Sequence, residues 1–354
     1  MVKTILRQVT VLLAAAGFPG ALLAQAQPPA TPAPAPAPQY PTVTVGGLFY
    51  TQYDYELKNR QDFNAFDITR GYINIGGDLA RNIKFRITPD LARTSDGSLS
   101  GSLVYRLKYA FVQFDNLTPH SWLRLGLHQT PWLDFEQSID RYRVQGTMFA
   151  EREGIVPGSG DFGIGYLTQL PSDYGEMNAG IYNGEGYKFG EANKYKSFQA
   201  RLTGRPFPKA GAVQGLRFSG FYDLGWYDQG RPRRHGILMG SFEHANVVAV
   251  VQWLGATERP AAAPADVDRR GYSGFVEVRQ GLEGLAVFVR VDQFDPDTAV
   301  SDNSKRRVIG GVAYWLKWQK ARLGLIVNDE DVRYDSGLKK PDENRLLAQA
   351  HVQF

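Results

Sequence analysis

The chain has no cysteine and only 4 methionines among its 354 residues. Disulfides, thiolate metal ligands and a thiol nucleophile are therefore all excluded. Long apolar runs are missing beyond residue 26, where nothing approaches the ~20 consecutive apolar residues that a spanning helix needs. With 21% charged residues and a mean hydropathy of −0.32, the chain is not a polytopic helical membrane protein. Strong charge of one sign is also absent: the formal net charge is +4, too mild for a nucleic-acid partner. The five histidines, His120, His128, His235, His244 and His351, show no metal-ligand spacing, and there is no phosphate-loop or zinc-protease motif. No metal site, cofactor or catalytic residue is expected.

Glycine (38), tyrosine (18) and phenylalanine (20) are abundant, which leans the composition toward aromatic-rich β structure. Residues 1–26 carry Lys3 and Arg7, an apolar run from Val9 to Leu23 broken by Pro19-Gly20, and then Ala24-Gln25-Ala26, the pattern of a secretory signal peptide. Removing them leaves 38 basic residues against 36 acidic, a net +2. Residues 27–41 are almost entirely Pro, Ala and Gln, a polyproline-like linker. Residues 42–354 form the remaining domain.

In that domain period-two alternation recurs, as in Ile83, Phe85 and Ile87 against Lys84, Arg86 and Thr88. The pattern predicts strands at about 43–56, 65–80, 81–90, 103–115, 120–129, 159–170, 174–183, 194–205, 213–226, 234–245, 246–256, 269–280, 282–295, 305–317, 318–330 and 343–354. That is an even number, and the connections alternate between short and long, as transmembrane barrels do with periplasmic turns and outer loops. Sixteen strands enclose a bore too wide for side chains to fill, so the polar face is expected to line a water-filled lumen and the apolar face to meet lipid. The expected fold is all-β: a transmembrane antiparallel β-barrel in the bacterial outer membrane, with a long third outer loop constricting the pore. Tyr50, Tyr53, Tyr55, Tyr105, Tyr109, Phe111, Tyr222 and Tyr314 suit interfacial girdles. The chain stops at an alternating strand ending in Phe354, which resembles the C-terminal insertion signal of bacterial outer-membrane barrels.

The polar parity places Lys84, Arg86, Arg106, Lys108 and Arg124 on neighbouring inner walls, a basic stripe that favours anions by offsetting their lost hydration. Further lumen candidates are Arg201, Arg217, Arg279, Arg290, Arg307, Lys317, Arg322 and Arg345, against the acids Asp78, Glu277 and Asp292. In the long loop, Asp134, Glu136, Asp140, Arg141, Arg143, Glu151, Arg152 and Glu153 mix signs; Asp134, Glu136, Arg141 and Arg143 are the constriction candidates. The bland alternative is that these charges pair across strands and merely brace a wet lumen.

The phrases Leu107-Lys108-Tyr109-Ala110-Phe111-Val112-Gln113-Phe114 and Gly126 to Glu136, set in this strand-loop pattern, resemble the phosphate-selective porin O and P family. The resemblance spans residues 42–354. It implies a sixteen-stranded homotrimeric porin, seated in outer-membrane lipid and passing small anions such as phosphate. Two other classes stay open: an outer-membrane hydrolase barrel, for which His235 and Asp228 lie near one loop, and a secreted β protein that binds polymer. A general, non-selective porin is the remaining alternative. Gly158-Ser159-Gly160-Asp161-Phe162-Gly163 matches a dinucleotide-binding pattern but precedes a strand where that motif would follow one, so it counts as chance.

Overall fold

The computed structural model describes residues 39–260 and 263–354. The expected signal peptide and almost all of the Pro/Ala linker lie outside the described residues. The barrel opens with β1 (Thr44–Lys58), β2 (Asn64–Ala80), β3 (Ile83–Arg93), β4 (Leu103–Asp115), β5 (Ser121–Gln129), β6 (Gly160–Gln169), β7 (Gly175–Tyr182) and β8 (Ser197–Gly204). It continues with β9 (Leu216–Asp228), β10 (Arg231–Glu243), β11 (Val247–Glu258), β12 (Val267–Arg279), β13 (Gly284–Asp295), β14 (Lys305–Trp318), β15 (Ala321–Tyr334) and β16 (Glu343–Gln353). Every strand pairs antiparallel with its sequence neighbours, and β1 closes on β16 from Leu48↔Gln353 to Lys58↔Asn344. Closure leaves no sheet edge, which is what allows a β structure to span a bilayer. All sixteen strands anticipated from the sequence are present.

Leu238, Val251, Val287, Val312, Leu325 and Val327 face outward and exposed, as a lipid-facing surface requires. Connections alternate in length with one inversion: β9 and β10 are joined only by Gln229 and Gly230, whereas the turn between β8 and β9 runs over residues 205–215.

The interior departs from a uniformly polar lumen. Phe221, Ile237, Leu254, Phe275, Phe288, Ile309, Trp315 and Ile326, from β9 to β15, are buried in one apolar cluster. The other half of that cluster belongs to the connection between β5 and β6, residues 130–159 and here called L3, through Trp132, Leu133, Ile139, Tyr142, Met148, Phe149 and Ile155. L3 carries two short helices, α1 (Leu133–Ile139) and α2 (Phe149–Arg152). An apolar stripe on the inner wall needs an apolar cover, and L3 supplies it; each fully buried side chain of this size contributes about 1.5–3 kcal/mol. Polar ties fix the docking. Arg201 Nε donates to Pro131 O at 2.8 Å, Gln349 Nε2 to Val144 O at 2.8 Å and Tyr142 OH to Glu277 at 2.7 Å.

The girdle assignment needs correction at three positions. Tyr105, Tyr222 and Tyr314 are outward and exposed, but Tyr50, Tyr109 and Phe111 are buried inside. Tyr50 shares the inward parity of Asp54 and Glu56 on β1. For Tyr109 and Phe111 the cause is a bulge: Thr88 pairs with Tyr109 and Pro89 with Leu107, so Lys108 is the extra residue. Pro89 has no N–H to donate to the ladder, which is where a bulge belongs. The bulge turns both Lys108 and Tyr109 inward and reverses the parity of β4 beyond them.

Candidate functional site

With L3 docked on the β9–β15 wall, the open space lies against β1–β5. Toward the outer side is a slot of about 360 Å³ between β1–β4, β16, the L3 segment 143–151 and the β7–β8 connection, residues 183–196 and here called L4. Five cationic residues line it, Arg70, Arg106, Arg143, Lys188 and Arg345, against two acidic ones, Asp90 and Glu151, for a lining charge of +3. Toward the periplasmic side is a second cavity of about 440 Å³ lined by Lys84, Arg86 and Arg124 together with Asn74, Phe111 and Gln113. Cross-strand register puts Lys84, Gln113 and Arg124 at one level, with Arg86 one step further in.

Lys108 lines neither space. Its side chain is buried, its ammonium donates to the Tyr72 hydroxyl, and the rings of Tyr72, Tyr187 and Tyr109 surround it at 4.6, 5.2 and 5.5 Å. Asp134, at the start of α1, is exposed within the barrel, with its carboxylate 3.4 Å from the Tyr109 hydroxyl and Lys108, Arg86 and Arg124 as its cationic neighbours.

Pairing decides which cations remain available. Lys84 is 2.6 Å from Asp115, Arg106 is 3.5 Å from Asp90 and Arg143 is 2.7 Å from Glu151. Arg86 instead bonds to Asn74 at 2.7 Å and Thr88 at 2.9 Å, and Arg124 to Gln113 and Gln129, each at 2.7 Å. Arg70 lies against the rings of Tyr72 and Tyr50 at 5.0 and 5.4 Å. Among the described residues these three guanidiniums have no carboxylate within ion-pair distance, and the nearest acids, Asp134 for Arg86 and Arg124 and Asp90 and Glu151 for Arg70, act on them only from further away.

L4 delivers Tyr187 to the slot. Arg106 Nη2 donates to the Tyr187 hydroxyl at 3.2 Å, and that hydroxyl donates to Asp90 Oδ2 at 3.3 Å. Burial pushes the Tyr187 phenol up to about 12, so it remains a donor at neutral pH.

Four of the five stripe residues line the two spaces, Arg106 the slot and Lys84, Arg86 and Arg124 the second cavity, while Lys108 is buried beside Tyr187. The four loop candidates divide. Arg143 lines the slot and Asp134 lies beside Tyr109, whereas Glu136 is buried under α1 and Arg141 is drawn to the opposite wall, bonded to Glu277 and stacked over Trp315 at 4.4 Å. Arg345 was legible as a lumen candidate. Arg70 was not singled out, although it shares the inward parity of Tyr72 and Asn74, which the same alternation rule would have found. Tyr187 and Lys188 come from an irregular loop, where no periodicity exists to read.

A closed sixteen-stranded barrel with an apolar outer face, a loop folded inside and water-accessible charge along one inner wall defines an outer-membrane porin. The family model for phosphate-selective porin O and P matches residues 45–223. The chain belongs to that family. No curated protein is similar enough to match it. Among solved structures, it is similar to an anion-selective porin from Comamonas acidovorans (14% identity, 88% of this chain and 99% of that one, TM-score 0.63). It is also similar to the trimer form of OmpT, an outer membrane protein of Vibrio cholerae (12%, 88% and 99%, 0.59). A third likeness is to the outer membrane channel DcaP of Acinetobacter baumannii (11%, 88% and 97%, 0.61).

Proposed function

We propose that this porin prefers small anions, with oxyanions such as phosphate among its solutes, and that the slot around Arg70 is where selection occurs. The observation that carries the reading is the +3 lining of a confined slot whose Arg70 guanidinium has no ion-pair partner. A guanidinium fixed in a narrow, partly dehydrated space replaces the water an anion sheds, and it repels cations at the same point. Arg86 and Arg124 continue the favourable potential to the periplasmic side, so an anion leaving the slot meets fixed positive charge instead of a barrier.

The same reading gives the protein no enzymatic role. His235, the candidate for a hydrolase, sits with Nδ1 3.5 Å from Asp223 and Nε2 3.2 Å from Glu258, so both ring nitrogens face carboxylates. Asp228 pairs with Arg231. The trimer form of a structural neighbour supports assembly as a homotrimer, and the export reading of residues 1–26, followed by a spacer at 27–41, fits delivery to the outer membrane.

The test is the reversal potential of the detergent-extracted protein in a planar bilayer under a KCl gradient, repeated with added phosphate. Anion preference, with chloride current reduced by millimolar phosphate, is the expected result. Cation preference overturns the reading, and anion preference untouched by phosphate removes oxyanion selection while leaving the anion channel.

A further inference from the structure

The glycine-rich segment Gly158–Gly163 runs into β6, and the fold puts it to use. L4 crosses it. Asp161 is buried, and its Oδ2 accepts the N–H of Gly184 at 2.7 Å while Oδ1 accepts the N–H of Phe162 at 2.7 Å. From the opposite side Arg233 Nη2 donates to the Gly184 carbonyl at 2.7 Å. The N–H and the carbonyl of Gly184, at the start of L4, are thus held by a carboxylate and a guanidinium from two different strands, β6 and β10.

The rest of the segment seats the next residues of the loop. Tyr187 N–H donates to Gly160 O at 2.9 Å, and Asn183 N–H to Phe162 O at 2.9 Å. Close approach explains the glycines. A Cβ on Gly160 would stand 2.9 Å from the Tyr109 ring and 3.2 Å from Lys108 O, and one on Gly184, at φ +111°, would stand 2.8 Å from Arg233 Nη2. Residues 158–163 therefore bring L4 down beside Tyr109 and Lys108.

We infer that Asp161 and Arg233 form a clamp on Gly184 that positions Tyr187 and Lys188 in the slot, and so set the channel's affinity for anions without touching them. This rests on the slot being the anion-selecting site. Neither clamp residue lines the slot; they act through the loop. When the clamp is released, Tyr187 loses its fixed place between Arg106 and Asp90, and Arg106 turns more fully to Asp90. The slot then offers an anion one donor fewer.

The experiment measures single-channel conductance against KCl concentration, and the phosphate concentration that halves the chloride current. It compares the wild-type protein, Asp161→Ala, Arg233→Met, Tyr187→Phe and the double variant Asp161→Ala/Tyr187→Phe. Heat-modifiable mobility checks that each barrel folds. The expected result is a several-fold rise in the half-blocking phosphate concentration for Asp161→Ala and Arg233→Met, with limiting conductance near wild type. In the double variant the rise should exceed that in Tyr187→Phe by less than the full Asp161→Ala effect, the remainder coming from Lys188, because residues acting through one another are non-additive. Folded single variants that keep the wild-type half-blocking concentration, or effects that add fully in the double variant, overturn the clamp. Wild-type current that neither saturates nor responds to phosphate overturns the slot reading itself, and so separates the two failures.

Discussion

The indole of Trp132 donates its Nε1–H to Glu136 at 3.1 Å, one turn along α1, and both side chains are sealed between L3 and the barrel wall. Burial pushes the Glu136 carboxyl up to about 8, with Asp140 and Asp292 adding to the rise and Arg290 opposing it. A carboxyl whose folded pKa is raised keeps its proton in the docked state and loses it in the unfolded one. Docking is therefore fully favoured below the unfolded value, near 4.5, and weakens as pH rises through about 8. The temperature at which heat-modifiable mobility is lost should fall between pH 5 and pH 9. Glu136→Gln, which retains an acceptor for the indole, should flatten that dependence; an unchanged slope in the variant would assign the pH effect to another group.

Trp132 is also the anchor of L3, fully buried and 5.6 Å from the Phe221 ring. Trp132→Ala should weaken docking by about 3–5 kcal/mol, the usual cost of emptying a core site of this size. Because the strand ladders do not depend on L3, the barrel should still fold and insert. Planar-bilayer recordings are expected to show larger and noisier conductance, and a quiet channel of wild-type conductance would place the constriction elsewhere.

Gly163 on β6 would carry a Cβ 2.2 Å from Ile181 O on the neighbouring strand. That contact is with backbone, so relief requires β6 and β7 to part. Gly163→Ala should cost about 1–3 kcal/mol of stability, as overpacking does. It should lower the heat-modification temperature more than Gly274→Ala on β12, where a Cβ meets nothing within 4 Å.

The strand count and closure were legible because lipid on one side and water on the other impose a period of two that survives along most of each strand. The loss at Tyr109 and Phe111 came from the single extra residue at Lys108, which reverses parity without altering composition. Among the stripe residues, Lys84 and Arg124 keep plain alternation and were read directly. The apolar inner patch from Phe221 to Ile326 was not foreseen, because alternation reports that two faces differ and not what covers each. Only the fold brings L3 back from the β5–β6 junction to lie on β9–β15. Glu136 and Arg141 shared a loop with Asp134 and Arg143, and spacing within that loop carries no information on which wall each side chain meets.

The five stripe residues should not contribute equally to selectivity. Lys84 is half exposed and paired with Asp115 at 2.6 Å, so replacing it by Gln removes one charge but releases an opposite one. Arg86 and Arg124 hydrogen-bond only to neutral partners, Asn74, Thr88, Gln113 and Gln129, and line the periplasmic cavity with no ion-pair partner, the Asp134 carboxylate acting on them only from a distance. A charge-assisted hydrogen bond to an anion is worth about 1.5–3 kcal/mol, which makes one such guanidinium a roughly tenfold or larger effect on anion occupancy. Arg86→Gln and Arg124→Gln should therefore each move the reversal potential toward zero by more than Lys84→Gln, and the Arg86/Arg124 double variant should move it further while keeping the anion preference that the slot around Arg70 supplies. Ionic strength supplies an independent check. Selectivity arising from fixed wall charge is screened on the scale of the Debye length, ~10 Å at 0.1 M and ~3 Å at 1 M, so the difference among the three variants should shrink as salt rises. Equal shifts from Lys84→Gln and Arg86→Gln at low salt would mean that the Asp115 pair does not hold in the open channel.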